Sequence, residues 1–269
     1  MKTQDNTSLL FNSKSYKTGD IIRLTLQELS TFQLSHTSDL SGTIIKSNKP
    51  IGVFSGHKCN SILEYYCNAF VEMMLPVTQT DYLFIIPTIE KRDQYFVRIY
   101  CQRDTSLEIT VNNMTQLHKI KGGNILEYKS PHISIINASM PVHVYGFPKD
   151  IPNYDAYMTT FYGTRQWKSD FGFVAPANSL TNHISVVFQG TTEDSKGFIL
   201  DWKRIQPALI DVFTESVNDT SFVTFRYQIV SGSHSLHHTS NMTFGVWVYG
   251  DKSREGYGYP AGMGYIENP

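Results

Sequence analysis

The chain repeats itself, and that constrains its fold more than any other feature. Asp81-Tyr82-Leu83-Phe84-Ile85-Ile86-Pro87 returns about 90 residues later as Asp170-Phe171-Gly172-Phe173-Val174-Ala175-Pro176. Lys49-Pro50-Ile51-Gly52-Val53-Phe54-Ser55-Gly56 returns as Met140-Pro141-Val142-His143-Val144-Tyr145-Gly146, and its ending appears a third time in Thr243-Phe244-Gly245-Val246-Trp247-Val248-Tyr249-Gly250. Asn6-Thr7-Ser8-Leu9 also matches Asp104-Thr105-Ser106-Leu107. These anchors lay out one unit over 69–147, a second over 158–250, and the back half of an earlier unit in about the first 57 residues.

The units read as strands. Tyr95-Phe96-Val97-Arg98-Ile99-Tyr100-Cys101, Ile184-Ser185-Val186-Val187-Phe188 and Phe222-Val223-Thr224-Phe225-Arg226-Tyr227 are short, rich in β-branched and aromatic residues, and bounded by turn formers. Several alternate apolar and polar side chains, as half-buried antiparallel strands do. Helical signals are few; Ile62 to Met73 fits a short helix or an irregular strand equally. The fold class expected is all-β, with tandem antiparallel β-sandwich-like repeats: two complete units plus a truncated N-terminal one. A propeller-like arrangement with two blades per unit is the alternative. The domain expectation is a truncated back half over 1–57, a sandwich unit over 58–157, and a second over 158–269 with a Gly/Tyr-rich tail.

Charge excludes several partners. Charged residues make up 17% of the chain and the net charge is −1, which leaves no electrostatic footprint for nucleic acid. No apolar run approaches the ~20 residues needed to span a bilayer, so membrane insertion is not expected. The first residues carry no apolar stretch of signal-peptide length. With a half-unit at the start, the expectation is a truncated N-terminus inside a larger protein, whose unpaired strand edges are covered or borrow a partner's strand.

The candidate chemistry is thin. His234, His237 and His238 are the only clustered metal-type ligands; on a strand the outer two share one face and His237 takes the other. They are expected to sit on an exposed polar strand or loop. Glu193 with Asp194, and Asp211 with Glu215, are expected to be solvated loop acids, since nothing sets a second carboxylate at a glycosidase distance. Asp150 and Asp155 near Asn153 lack the calcium-loop pattern. Lys121-Gly122-Gly123-Asn124 reads as a hairpin turn, not a phosphate loop. Tyr257-Gly258-Tyr259-Pro260-Ala261-Gly262-Met263-Gly264-Tyr265 reads as a strand packed back onto a sandwich, ahead of an exposed binding surface. No catalytic residue, cofactor site or metal ligand is assigned, and the chain is expected to be no enzyme. N-glycosylation sequons begin at Asn6, Asn113, Asn137, Asn218 and Asn241, a hint of secretion. Cys59 and Cys67 fit a small disulfide loop or two buried thiols equally well, and Cys101 reads as a buried thiol.

One combination of residues resembles a known family. Ser38-Asp39-Leu40-Ser41-Gly42-Thr43, then Lys49 to His57 with Cys59, then Cys67 followed by Glu72 and Pro76, is similar to the IgGFc-binding protein N-terminal domain family. Gly232-Ser233-His234, Gly245 to Gly250 and Gly256 to Gly262 resemble its close, so the likeness spans about 5–264. The resemblance implies an extracellular module of large secreted, mucus-associated or adhesive proteins. None of the cysteine-rich von Willebrand type D parts that often follow it is present. It also implies a Cys59–Cys67 disulfide and structural roles for His57 and Pro50. The Fc binding in the family's name does not carry over. The function expected is a non-catalytic binding or adhesion module with an unidentified protein or glycan ligand. A structural spacer or a carbohydrate-binding β-protein is the alternative.

Overall fold

Alternation writes the strands. In Tyr95–Cys101 every second side chain, Tyr95, Val97, Ile99 and Cys101, is buried, and Phe96, Arg98 and Tyr100 between them are half-exposed. A computed structural model describes residues 2, 7–62, 67–89, 92, 95–130, 133–149, 151–152, 154–177, 181–205, 211–217 and 219–267. It is all-β and antiparallel, with two short 3-10 turns as its only helical elements among the described residues. The chain divides into two compact units, Met1–Ile51 and Gly52–Pro269.

The smaller unit has one regular hairpin among its described residues, β1 (Leu9–Phe11) and β2 (Lys14–Tyr16). Asn12 and Ser13 join them with φ of 48° and 59°, the left-handed pair of a two-residue hairpin turn. Leu9 is buried, and Phe11 meets Phe32 edge-on at 5.6 Å.

The larger unit opens with a hairpin of β3 (Phe54–Asn60) and β4 (Asn68–Met73). Residues 68–73 are therefore strand, which settles that part of the segment whose spacing also fitted a helix. Seven strands follow: β5 (Asp81–Ile86), β6 (Tyr95–Cys101), β7 (Thr105–Val111), β8 (Met114–Ile120), β9 (Ile125–Ser130), β10 (Ser134–Pro148) and β11 (Thr159–Phe161). The first part of β10 lies between β5 and β7, with β8 beyond β7; its second part lies between β6 and β11, with β9 beyond β6. Pairing on β10 switches partners around Pro141, a residue that cannot donate to a ladder. One long strand thus serves both layers of a sandwich.

The second repeat contains β12 (Asp170–Ala175), β13 (Thr181–Gln189), β14 (Phe198–Leu200), β15 (Lys203–Arg204), β16 (Asp211–Val217), β17 (Thr220–Ile229), β18 (Gly232–His238), β19 (Phe244–Lys252) and β20 (Glu255–Pro260). Its sheets run β12-β18-β14-β15 and β16-β17-β13-β19-β20. Every pairing of the first sandwich recurs, with β12, β13, β14, β15, β17 and β20 standing for β5, β6, β7, β8, β9 and β11, and with β18 and β19 together standing for β10. Register recurs too: Val144 faces Ile99 and Val248 faces Ile184. Two differences stand out. The long strand is interrupted at 239–243, and β16 adds an edge strand with no counterpart among the described residues of the first sandwich.

The two cores differ in filling. The first is mostly aliphatic, with Val97, Ile99, Leu107, Ile135 and Val144 at its centre, and it reaches across to Trp167, Phe222 and Trp247 of the second repeat. The second is filled by rings, among them Phe171, Phe188, Phe198, Phe225 and Phe244. Phe198 meets Phe225 at 5.0 Å and Phe244 at 4.9 Å, both edge-on. Each such ring contributes roughly 1.5–3 kcal/mol through burial.

Lys121-Gly122-Gly123-Asn124 is a turn, but not of a hairpin. It joins β8 to β9, which belong to opposite layers, so the glycines carry the chain across the sandwich. The tail packs as expected up to Pro260, whereas Tyr265 beyond it is exposed. Tyr257 and Tyr259 lie on β20 with rings 6.2 Å apart, and Tyr257 donates to Asn182 Oδ1 at 2.7 Å.

Candidate functional site

Two histidines of the cluster, His234 and His238, each hydrogen-bond to a neighbouring turn. His234 and His238 lie on β18 with Leu236, all buried, and His237 is on the opposite face. They are not the exposed polar strand expected, because Leu236 and the rings of Phe173 and Phe198 make that face the inner one. His234 Nδ1 lies 2.7 Å from Asp201 Oδ2, and its Nε2 lies 2.8 Å from the Val230 carbonyl. His238 Nδ1 accepts from the Ser240 N–H at 3.1 Å, and its Nε2 donates to the Asp194 carbonyl at 2.9 Å. All four ring nitrogens are therefore engaged.

What His234 braces is the candidate site. Asp201 and Trp202 form the two-residue turn between β14 and β15, with φ of 49° and 67°. Asp201 is clamped to β18 three ways: through His234, through its Oδ1 accepting from the Ser235 N–H at 2.8 Å, and through its own N–H donating to the Ser235 carbonyl at 3.0 Å. Trp202 projects from this clamp and is 89% exposed. Lys203 and Arg204 follow it, both exposed, and Val230, whose carbonyl touches the same histidine, is exposed as well. A left-handed conformation costs a residue with a Cβ ~1–2 kcal/mol. A bulky aromatic held there, unburied, gains nothing from the core. Strain of this kind concentrates at binding sites, and Trp is favoured as an interface anchor.

The equivalent turn of the first sandwich is Asn112-Asn113, with φ of 51° and 59°. It borders a cleft of about 350 Å³ lined by Ile109, Val111, Met114, Gln116, His118 and Tyr128. Met114, which lines it, is exposed, and Leu117 is exposed on the opposite face of β8. The Asn113 N–H donates to Glu215 Oε1 at 2.9 Å, which ties this turn to β16. Glu215 is thus buried on a strand and is not a solvated loop acid: β16 extends the second sheet under the first sandwich's turn. Asp211 lies on the same strand. Glu193 pairs with Lys196 at the surface, and Asp194 accepts from the Thr191 N–H and hydroxyl at 2.8 Å, closing a 3-10 turn. Asp155 is buried, with its carbonyl accepting from Arg92 at 3.0 Å. Asp150 and Asn153 lie outside the described residues. No cluster of metal-ligating side chains occurs among the described residues.

A second polar feature sits on the first sandwich. Thr160 donates to Glu72 Oε1 at 2.9 Å, and burial pushes the Glu72 carboxyl up to about 7. Burial, with that carboxylate adjoining, pushes Tyr145 up to about 12 and Tyr162 up as well. His143 stacks on Tyr145 at 6.3 Å, and burial lowers it to about 4.

Cys59 and Cys67 are bonded, with Cα atoms 4.9 Å apart, and they close the β3–β4 hairpin. His57 Nδ1 accepts from the Cys59 N–H at 3.2 Å, which gives that motif position a structural role. Cys101 is a buried free thiol whose pKa burial raises. Of the sequons, Asn113 and Asn241 are exposed at turns. Asn137 is half-buried within β10, with its amide donated to Glu108 at 3.3 Å. Asn6 and Asn218 lie outside the described residues.

The comparison with known families matches residues 2–250 to the family described as IgGFc binding protein. This chain belongs to the IgGFc binding protein family. Over 123 residues, 45% of the chain, it is 30% identical to the IgGFc-binding protein of Homo sapiens. The chain spans 2% of that protein's length. No solved structure matches.

Trp202 was missed in the sequence. Its turn lacks the glycine that marks such hairpins; Asp201 is a turn former, but the Trp that follows it is not. The available signal was its alignment with Asn112-Asn113 through the repeat.

Proposed function

We propose that this member of the IgGFc binding protein family is an extracellular, non-catalytic binding module, part of a larger mucus-associated or adhesive secreted protein. In this reading Trp202 is the anchor for a protein ligand. The observation that carries it is the exposed indole on a strained turn clamped by Asp201 and His234. A turn backbone already fixed in one conformation loses little further entropy on binding. The basic pair Lys203-Arg204 suits a ligand surface with acidic groups at its rim. The Cys59–Cys67 disulfide supports an oxidising compartment. No helix among the described residues is long and apolar enough to cross a membrane. A partition into an N-terminal half-unit and two sandwich units belongs to the same proposal, with the first sandwich reaching to Phe161 through β11, as do glycans on Asn113 and Asn241.

The human relative's name states Fc binding, so an immobilised IgG Fc fragment is the first probe and a purified mucin glycoprotein the second. Retention of the secreted chain on either probe, lost in Trp202→Ala at unchanged melting temperature, supports the reading. Retention on neither favours a spacer. Retention on mucin that periodate oxidation of the glycans abolishes favours a carbohydrate ligand.

A further inference from the structure

Three hairpins of this chain are copies of one another, and among the described residues one of them lacks a neighbour that the other two possess. They are β3–β4, the second part of β10 with β11, and β19–β20. Each first strand carries the repeated motif that ends in glycine, and those glycines face Val71, Thr159 and Tyr257 on the partner strands. A side chain is excluded at all three. A Cβ on Gly56 would fall 1.7 Å from the Phe70 carbonyl oxygen, on Gly146 2.3 Å from the Phe161 ring, and on Gly250 2.6 Å from Tyr257.

The other edge of the motif strand differs. β10 pairs there with β6, Gly146 opposite Val97, and β19 pairs with β13, Gly250 opposite Asn182. β3 pairs with β4 alone among the described residues, and Phe54 through Cys59 are exposed. An unpaired edge of this length is a template for another strand.

A face repeats the pattern. In the second repeat, the outer side of the β13–β19 pair is covered by the first sandwich. Trp247 and Tyr249 are buried, the Ser185 hydroxyl donates to the Thr88 carbonyl, and Arg92 pairs with Asp251. In the first repeat the corresponding side of the β6–β10 pair, with His143 and Tyr145 in the places of Trp247 and Tyr249, has a partial cover from β4. Phe70 meets Phe147 at 6.0 Å and Glu72 meets Thr160. Phe96, Arg98, Tyr100 and Tyr145 keep part of their surface open.

We propose that the open edge of β3 is a strand-addition site whose occupant is an antiparallel strand of the β6/β13 kind, supplied by a neighbouring unit of the same repeat. Its main chain would complete the β3 ladder, and the residues following the preceding strand of that unit would close over Tyr100 and Tyr145, as Thr88 and Arg92 close over the second repeat. The chemistry recognised is a strand of about seven residues with alternate β-branched or aromatic side chains. It is independent of the Trp202 site.

The test uses the full chain with a labelled synthetic peptide of the β13 sequence, Thr181 to Gln189, read by fluorescence anisotropy and by hydrogen exchange at residues 54–59. Expected are saturable binding, slowed exchange on β3, and affinity at least about tenfold lower for the peptide carrying Val186→Pro, which cannot sustain a ladder. Equal affinity of the proline peptide, protection confined to β8, β16 or β20, or no binding would overturn the proposal. So would a chain that is dimeric without peptide and already protected on β3, since a second copy would then be the occupant.

Discussion

The indole N–H of Trp247 donates to the carbonyl of Thr160 at 2.8 Å, and the same ring packs on Phe161 at 5.5 Å. Trp247 lies on β19 of the second repeat, and Thr160 and Phe161 on β11 of the first. One side chain therefore supplies both a polar and an apolar link between the sandwiches. Trp247→Phe should keep the packing and leave the carbonyl without its indole donor, lowering stability by about 1–3 kcal/mol. Trp247→Ala should cost about 3–5 kcal/mol. Urea titration followed by tyrosine fluorescence and far-UV circular dichroism checks both, and the two probes should move together.

Trp202 carries the opposite expectation. Replacing it with glycine removes the Cβ from a left-handed position and gives up no buried contact. Trp202→Gly should raise stability by about 1 kcal/mol and abolish retention on whichever probe the native chain binds. A variant that is both more stable and inert separates a binding role from a folding role in one protein.

Acidity gives a third test. The folded-state pKa of Glu72 is raised from 4.5 to about 7, so the native state holds this proton more tightly, and stability falls as pH rises from about 4.5 to 7. His143 is lowered from 6.5 to about 4, so the unfolded state takes that proton first, and stability falls as pH drops from about 6.5 to 4. Where the windows overlap the two slopes oppose each other. Glu72→Gln should expose the histidine slope, with a melting temperature that declines on acidification below about 6.5 more steeply than in the native chain.

Glycopeptide mass spectrometry of chain secreted from animal cells should find Asn113 and Asn241 modified and Asn137 bare. The first two stand exposed on turns, whereas the Asn137 amide is held by Glu108 within a strand between two neighbours.

Much of the architecture was legible because a repeat aligns with itself wherever ladder register is kept. Pro87 and Pro176 each follow the first strand of a sandwich, and Val144 and Val248 hold the same place in their ladders. The crossing at Gly122-Gly123 was less legible, since glycines mark a turn without saying whether the strands they join belong to one layer. Burial of Glu215, His234 and His238 was illegible for a related reason. Their partners, Asn113, Asp201 and Asp194, are distant in sequence, and periodicity reports only neighbours along the chain. Trp202 escaped because a tryptophan in a left-handed turn position runs against its local propensity and gives no turn signal.

The continuity of β10 has a mechanical consequence. In the first sandwich both layers hang on one unbroken strand from Ser134 to Pro148, so a pull on the chain cannot shear one sheet past the other without rupturing ladders in both. In the second, residues 239–243 part the same element into β18 and β19, and each sheet can yield on its own. Under tension the first sandwich should therefore yield at a higher force than the second, a difference traced to five residues.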